Sequence, residues 1–246
     1  MGYKLTETLS LGHWQPLIRR LPGKERQIAL SFDDGPTPST TLPLVSLLAS
    51  YNAKATFFLS GIRANAYPDL VEALVHNGHD IYGHGWEHIR LDHAEPDRLL
   101  ADLEKSESFL RRFRPTPSPY LVRLPYAAGS RIAWVHRTIK KWNPATQIAH
   151  WSDSLKDWDI AIRCRNRDEL EKACQTGADS LLQLRRLNGA IVLLHESAYD
   201  RPAPLTPDVA PVLAEKILKG LTARGFSFVP IIPRKRPPWI SRFIMA

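Results

Sequence analysis

The sequence predicts an α/β fold in which seven parallel strands alternate with helices and close, or nearly close, on themselves. Three observations predict it. Short runs rich in β-branched and aromatic residues alternate along the chain with segments of helical spacing. Such alternation needs crossover connections, and these give parallel strands joined by right-handed βα units. The residues able to do chemistry fall just after the strand runs, the end at which folds of this kind carry their sites.

Taken in order, the first strand is read over residues 27–32 and ends at the acidic pair Asp33 and Asp34. A helix is expected over 41–51, with Leu44, Leu47 and Leu48 on one face. Strand 55–59 and helix 69–77 follow, the helix closed by Gly78 at the position that favours a left-handed residue. Strand 79–82 leads to His84 and His88. Pro96 is placed to start a helix over 97–113, where Leu99, Leu100, Leu103 and Leu110 supply the apolar face. Strand 120–123 ends at Arg123, and strand 146–151 precedes Asp153 and Asp157. A helix over 168–187 leads to the apolar strand 190–194, which runs into His195. The last helix, 209–224, stops at Gly225 directly before strand 226–230.

A chain of 246 residues with 43% hydrophobic residues is long enough to bury a sizeable core, and residues 1–246 read as one domain with its motif-bearing part at 27–230. No run reaches the roughly 18 apolar residues that span a bilayer. The N-terminal MGYKLTETLSLGHWQPLIRR has no basic stretch leading into an apolar one, so the expectation is a cytoplasmic protein, or a secreted one if a leader was trimmed away. Two cysteines, Cys164 and Cys174, match neither a disulfide framework nor a zinc motif, which leaves metal binding to histidine and carboxylate. The net charge of +8 is spread along the chain without a nucleic-acid recognition motif and reads as a solvated basic surface. The C-terminal PRKRPPWISRFIMA mixes basic and bulky apolar residues, a composition suited to peripheral contact with the inner face of a membrane or to packing on the domain.

The site candidates are carboxylates, histidines and one arginine. SFDDGP puts Asp33 and Asp34 at a strand end entering a turn, where one can bind a metal while the other serves as base; an Asx turn or helix cap is the structural alternative. GHDIYGHGWEH supplies His84 and His88, four apart, and two imidazoles plus one carboxylate leave open positions on a metal for water and substrate. His76, His79 and His93 lack such pairing and read as surface or packing residues. Arg123, in RLPY, can grip a carboxylate, and the rigid turn after it can aim a backbone N–H at an oxyanion. His195 closes an apolar strand, and a carboxylate from WSDSLKDWD, Asp153 or Asp157, can orient it and keep it protonated. Trp158 offers an apolar wall or a sugar-stacking face. Together these groups suit metal-assisted hydrolysis of an amide or ester.

Five motifs in order, with ATFF at residues 55–58 as a further signature, make the chain from about 27 to 230 resemble the polysaccharide deacetylase family (carbohydrate esterase family 4, the Nod-factor chitooligosaccharide deacetylase group). The resemblance implies a distorted (β/α)7 barrel. It implies Asp33 as catalytic base, Asp34, His84 and His88 as ligands of one divalent metal ion, zinc first with cobalt, nickel or manganese as alternatives, and Arg123 as the group orienting Asp33. It further implies an oxyanion role for the backbone N–H of Tyr126, His195 as acid tuned by Asp157, and Trp158 and Leu193 as walls of the acetyl pocket. Three positions depart from the family pattern: Gly85 stands where Ser or Thr often follows the first metal histidine, Asp153 and Asp157 have one residue more between them than usual, and Glu196 replaces a common Asp. The implied activity is removal of an N-acetyl or other small N-acyl group from an amino sugar in an oligosaccharide or glycan precursor. The alternatives are a polyprenyl-phosphate-linked amino sugar as substrate of a deformylase or deacetylase, an O-deacetylase, and a noncatalytic glycan-binding module. A nucleic-acid partner is not expected.

Overall fold

The protein is seen in a computed structural model that describes residues 14–23, 25–197, 199 and 203–234. Its strands are β1 (Leu17–Ile18), β2 (Gln27–Gly35), β3 (Thr56–Leu59), β4 (Asp80–Gly83), β5 (Leu121–Val122), β6 (Gln147–Ala149), β7 (Asp153–Ser154), β8 (Ile191–His195) and β9 (Ser227–Phe228). The α-helices are α1 (Thr41–Ser50), α2 (Gly61–Ala66), α3 (Pro68–His76), α4 (Pro96–Leu110), α5 (Ala133–Trp142), α6 (Ile160–Arg163), α7 (Arg167–Leu182) and α8 (Thr206–Thr222). All strand pairings are parallel, in the order β4-β3-β2-β8-β7 with β9 also on β2, and β1-β6-β5 in a second sheet.

The two sheets adjoin at two places. An isolated antiparallel bridge couples Arg20 to Ala190. Between β4 and β5 the described residues form no ladder, and side chains cross the gap instead: Tyr82 packs edge-on against Tyr120 at 5.2 Å, and His84 Nδ1 bonds the Arg123 carbonyl.

Alternation along β2 explains both its core and its site. Ile28, Leu30 and Phe32 face the cluster formed with helices α1, α3, α7 and α8. Ala29, Ser31 and Asp33 face the other side, small and then polar towards the strand's C-terminal end. Strand β8 repeats the pattern: Val192 and Leu194 join the outer cluster, whereas Ile191, Leu193 and His195 face inward. Register then sets Ser31 beside Leu193 and Asp33 beside His195.

Every expected strand and helix forms within a few residues of its expected bounds. Gly78 is left-handed as expected, at φ 74, and Gly225 at the end of the last helix shares that conformation. Strands β1 and β7 are additions, each two residues long and too short to show a period of two. Helices α2, α5 and α6 also escaped the sequence reading. Helix α5 buries Val135, His136, Thr138 and Ile139; Val135, Ile139 and Trp142 lie at helical spacing, a signal that was legible in the sequence. His79 is a packing residue as expected: its Nδ1 accepts from Ala55 N–H, and burial, with Lys54 nearby, pulls its pKa down to about 4. Both cysteines are free. No helix of the described residues is long and apolar enough to cross a membrane. Residues 1–13 of the N-terminal stretch and 235–246 of the basic C-terminal segment lie outside the described residues.

Candidate active site

Two adjacent residues on a regular strand point to opposite faces, so Asp33 and Asp34 reach one cavity only if the strand is broken between them. It is. The pairing of β2 with β3 shifts register between Asp33 and Gly35, and Asp34 takes a left-handed φ of 73. This bulge turns the second carboxylate inward beside the first. Both are buried, each 3% exposed.

His84 follows β4 and His88 sits four residues on, in a loop with φ 54 at His88 rather than on a helix. His84 Nε2 lies 3.5 Å and His88 Nε2 3.0 Å from Asp34 Oδ1. That oxygen has no hydrogen-bond partner of suitable geometry among the described residues, a costly state for a buried carboxylate unless a cation completes it. Atoms of Asp34, His84 and His88 converge within 4.8 Å of one another, a donor set of two imidazoles and one carboxylate that fits a divalent transition metal. The His84 tautomer is already set: its Nδ1–H donates to the Arg123 carbonyl at 2.8 Å, leaving the Nε2 lone pair facing Asp34. Burial above all, with His88 adding to it, lowers the His84 pKa against the pull of the two aspartates, which favours the neutral, ligating form. Burial alone would raise the Asp34 pKa, but His88, His195 and His84 outweigh it and hold the group below the usual carboxylate range.

Arg123 is 1% exposed, and its donors are satisfied. Nη1 reaches Asp33 Oδ1 at 2.7 Å and Ser31 Oγ at 2.9 Å, while Nε and Nη2 donate to the carbonyls of Ala149 and His150 at 3.2 Å each. The guanidinium also stacks on Phe58 at 4.1 Å. Asp33 is thereby held by one oxygen, and its Oδ2 stands 3.6 Å from His84 Nε2, at the edge of the metal-type cluster.

His195 is held by Asp157 twice: Oδ1 lies 2.9 Å from the ring Nδ1, and Oδ2 accepts from the backbone N–H at 2.6 Å. Burial pulls the ring's pKa down, but the Asp157 charge and hydrogen bond, with Asp34 and Asp33 behind them, lift it to about 9. Of Asp153 and Asp157, it is Asp157 that reaches His195. Asp153 stays in β7 outside the pocket, and the backbone between them passes through a left-handed residue at Lys156.

These groups share a pocket of about 360 Å³ whose walls include Tyr126, Trp158 and Leu193, as expected, and also Trp151, Ser154 and Tyr199. Tyr126 has a left-handed φ of 61, a strained state for a residue with a side chain, at the turn after Arg123. The last three lining residues, with Arg63 and Ser31 behind the pocket wall, carry no sequence signal: only the fold brings them to the site.

The remaining departures have structural reasons. Gly85 has φ +76, and a Cβ there would lie 3.0 Å from Pro125 Cγ, so Ser or Thr is disfavoured. The loop is held by backbone instead: Gly61 N–H to Gly85 O at 3.0 Å, Ile62 N–H to Trp86 O at 2.9 Å, and Trp86 N–H to Asp102 Oδ2 at 2.9 Å. Glu196 is fully buried and accepts from the Thr41 hydroxyl. Burial drives its pKa up to about 7 against the Thr41 hydrogen bond. Its carboxylate fills the space where a Gly35 side chain would be, a built Cβ meeting Glu196 Oε1 at 1.8 Å.

Comparison with known proteins agrees with this geometry. The family profile for polysaccharide deacetylase matches residues 20–146, just over half of the chain. That span holds Asp33, Asp34, His84, His88, Arg123 and Tyr126, while Asp157, Trp158, Leu193 and His195 join them only through the fold. A peptidoglycan-N-acetylglucosamine deacetylase of Bacillus cereus is 29% identical over 214 residues, 86% of this chain and 89% of its own length. A chitooligosaccharide deacetylase of Rhizobium leguminosarum bv. trifolii is 30% identical over 177 residues, 70% of this chain and 72% of its own. A solved peptidoglycan N-acetylglucosamine deacetylase, in complex with 4-naphthalen-1-yl-N-oxidanyl-benzamide, shares the fold with a TM-score of 0.71 at 24% identity, over 88% of this chain and 91% of that one. Motif order, profile and fold coincide on the same residues, and the chain belongs to the polysaccharide deacetylase family.

Proposed function

We propose that this protein is a metal-dependent hydrolase that removes the N-acetyl group of an amino sugar within an oligosaccharide or glycan. One observation carries the reading: a buried Asp-His-His cluster opens on the same pocket as an arginine-held carboxylate and an aspartate-held, protonated histidine. Asp34, His84 and His88 would hold the metal, with zinc suited to this donor set. When bound, it supplies Lewis acidity towards the acyl oxygen and a lowered pKa for water.

The chain's own groups divide the proton work. Asp33, fixed at Oδ1 by Arg123, keeps Oδ2 free to take a proton from the attacking water. His195, fixed by Asp157 with its Nδ1 engaged, presents Nε2 as the acid for the departing amine, which leaves poorly unless protonated. The turn at Tyr126 is placed to offer a backbone donor to the oxyanion. Leu193 and Trp158 give the acetyl methyl an apolar wall. A pocket of about 360 Å³ suits an acyl group with one sugar ring. The names of the relatives, peptidoglycan and chitooligosaccharide deacetylases, support an N-acetylglucosamine-containing glycan over a lipid-linked sugar.

The test is release of primary amine from N-acetylated glycan fragments by zinc-loaded protein, with a chelator control. Chelator-sensitive release, abolished in Asp33→Asn while that variant still binds zinc, is the expected result. Undiminished turnover in Asp33→Asn removes the base assignment. Release from O-acetyl esters alone would move the substrate to the ester class, since the same groups serve both reactions.

A further inference from the structure

The two histidines of the cluster are oriented by different means. His84 has its Nδ1 fixed by the Arg123 carbonyl, whereas the buried Nδ1 of His88 has no hydrogen-bond partner among the described residues. What His88 has is a stack. The Tyr199 ring lies 4.3 Å from it with an interplanar angle of 6°, and Tyr126 touches it at a tilt from 4.9 Å. Tyr199 is itself clamped. Its phenol oxygen lies 2.5 Å from Ser60 Oγ at the start of α2, and the Arg63 guanidinium covers its other face at 3.8 Å. Arg63 Nη1 in turn donates to the carbonyls of Asp34 at 2.7 Å and Ser197 at 3.0 Å, tying the stack to a second residue of the cluster.

We propose that Tyr199 is a positioning residue for His88: the Arg63–Tyr199–His88 stack fixes the imidazole plane that no hydrogen bond at Nδ1 fixes among the described residues, and the metal affinity of the site depends on it. Ligating histidines need their ring orientation set by a neighbour, which is commonly an acceptor at the second nitrogen. Here a flat aromatic surface does that task, and a cation on its far face locks the surface in place. The residue follows β8, outside the span in which Asp34, His84 and His88 lie, so the site is completed by a segment remote in sequence. This inference rests on the metal-binding reading of Asp34, His84 and His88.

The experiment measures zinc affinity by competition with a chromophoric chelator for the wild-type protein and for His88→Ala, Tyr199→Leu and Tyr199→Phe. Wild-type binding that is lost in His88→Ala establishes the metal reading by itself; its failure there overturns that reading, not the stack. Given it, Tyr199→Leu should weaken zinc by about tenfold or more, the scale of losing a group that orients a ligand. Tyr199→Phe, which keeps the ring and loses only the Ser60 contact, should recover most of that loss. Wild-type affinity in Tyr199→Leu, with only KM for glycan raised, overturns the proposal and makes Tyr199 a substrate wall. A second measurement needs no variant: in the metal-free wild type, the His88 ring protons should show the upfield NMR shift of a face-stacked ring. Unshifted His88 protons overturn the stack as well.

Discussion

Asp33, Asp34, His84 and His88 are individually ordinary residues whose chemistry comes from what surrounds them. Arg123 shows this most plainly. It is a fully buried cation facing a buried carboxylate, and breaking such a pair costs about 3–5 kcal/mol because the surviving charge is left uncompensated. His195 makes the sharper prediction. In its proposed role as acid His195 must carry its proton, and Asp157 lifts its pKa to about 9, so turnover should hold through neutral pH and fall as pH rises through that value. A bound cation would draw the falling limb lower, since its charge opposes protonation nearby. In Asp157→Asn the support for the imidazolium is gone, and the limb should move down towards the ordinary 6.5. A pH–rate profile with an unmoved limb removes Asp157 as the tuning residue. Trp151, Ser154 and Tyr199 were invisible at this scale in the sequence, because a pocket-lining Trp or Tyr has the same composition as one in the core.

At the scale of elements, the site depends on local departures from regular geometry. The bulge in β2 turns Asp34 towards Asp33, and left-handed residues at Gly85 and His88 fold the loop after β4 over them. Two glycines separate strain from propensity. Gly85→Ser puts a side chain at φ +76 and 3.0 Å from Pro125, and should cost about 1–3 kcal/mol in chemical denaturation. Gly177 lies inside α7, where a Cβ would meet only Leu213 at 3.6 Å. Gly177→Ala should therefore stabilise by about 0.5–1 kcal/mol, the helix cost of glycine relative to alanine. A Gly85→Ser variant with an unmoved or raised denaturation midpoint overturns the account of the loop after β4, and a lowered midpoint in Gly177→Ala overturns the helix account.

For the whole molecule, parallel strands bring one end of every element to the same rim. Asp33 and Asp34 from β2, His84 from the end of β4, Arg123 from the end of β5 and His195 from β8 meet there, although 162 positions separate Asp33 from His195. Metal binding would link β2 to the loop after β4 only in the folded state, so it must stabilise the fold by mass action. Zinc at about a hundredfold excess over its dissociation constant should add roughly 2.7 kcal/mol and raise the melting temperature. His84→Ala should show no such rise; a zinc-dependent rise that survives in that variant would place the ion elsewhere.

The sequence by itself determined the order of seven of the nine described strands and five of the eight described α-helices, the parallel α/β class, and the base, ligand and acid candidates. Hydrophobic period and residue type are local properties, readable wherever an element runs for several residues, as at 27–32 or 97–113. Which of Asp153 and Asp157 bonds His195, how two neighbouring aspartates share one cavity, why Gly85 replaces a hydroxyl residue, and which aromatic ring stacks on His88 were decided only by tertiary structure. Each depends on a backbone angle or an approach between residues far apart in the chain: φ 73 at Asp34, 2.9 Å from Asp157 to His195, 3.0 Å from a Gly85 Cβ to Pro125, 4.3 Å from Tyr199 to His88. Packing sets those distances, and no period in the sequence encodes them.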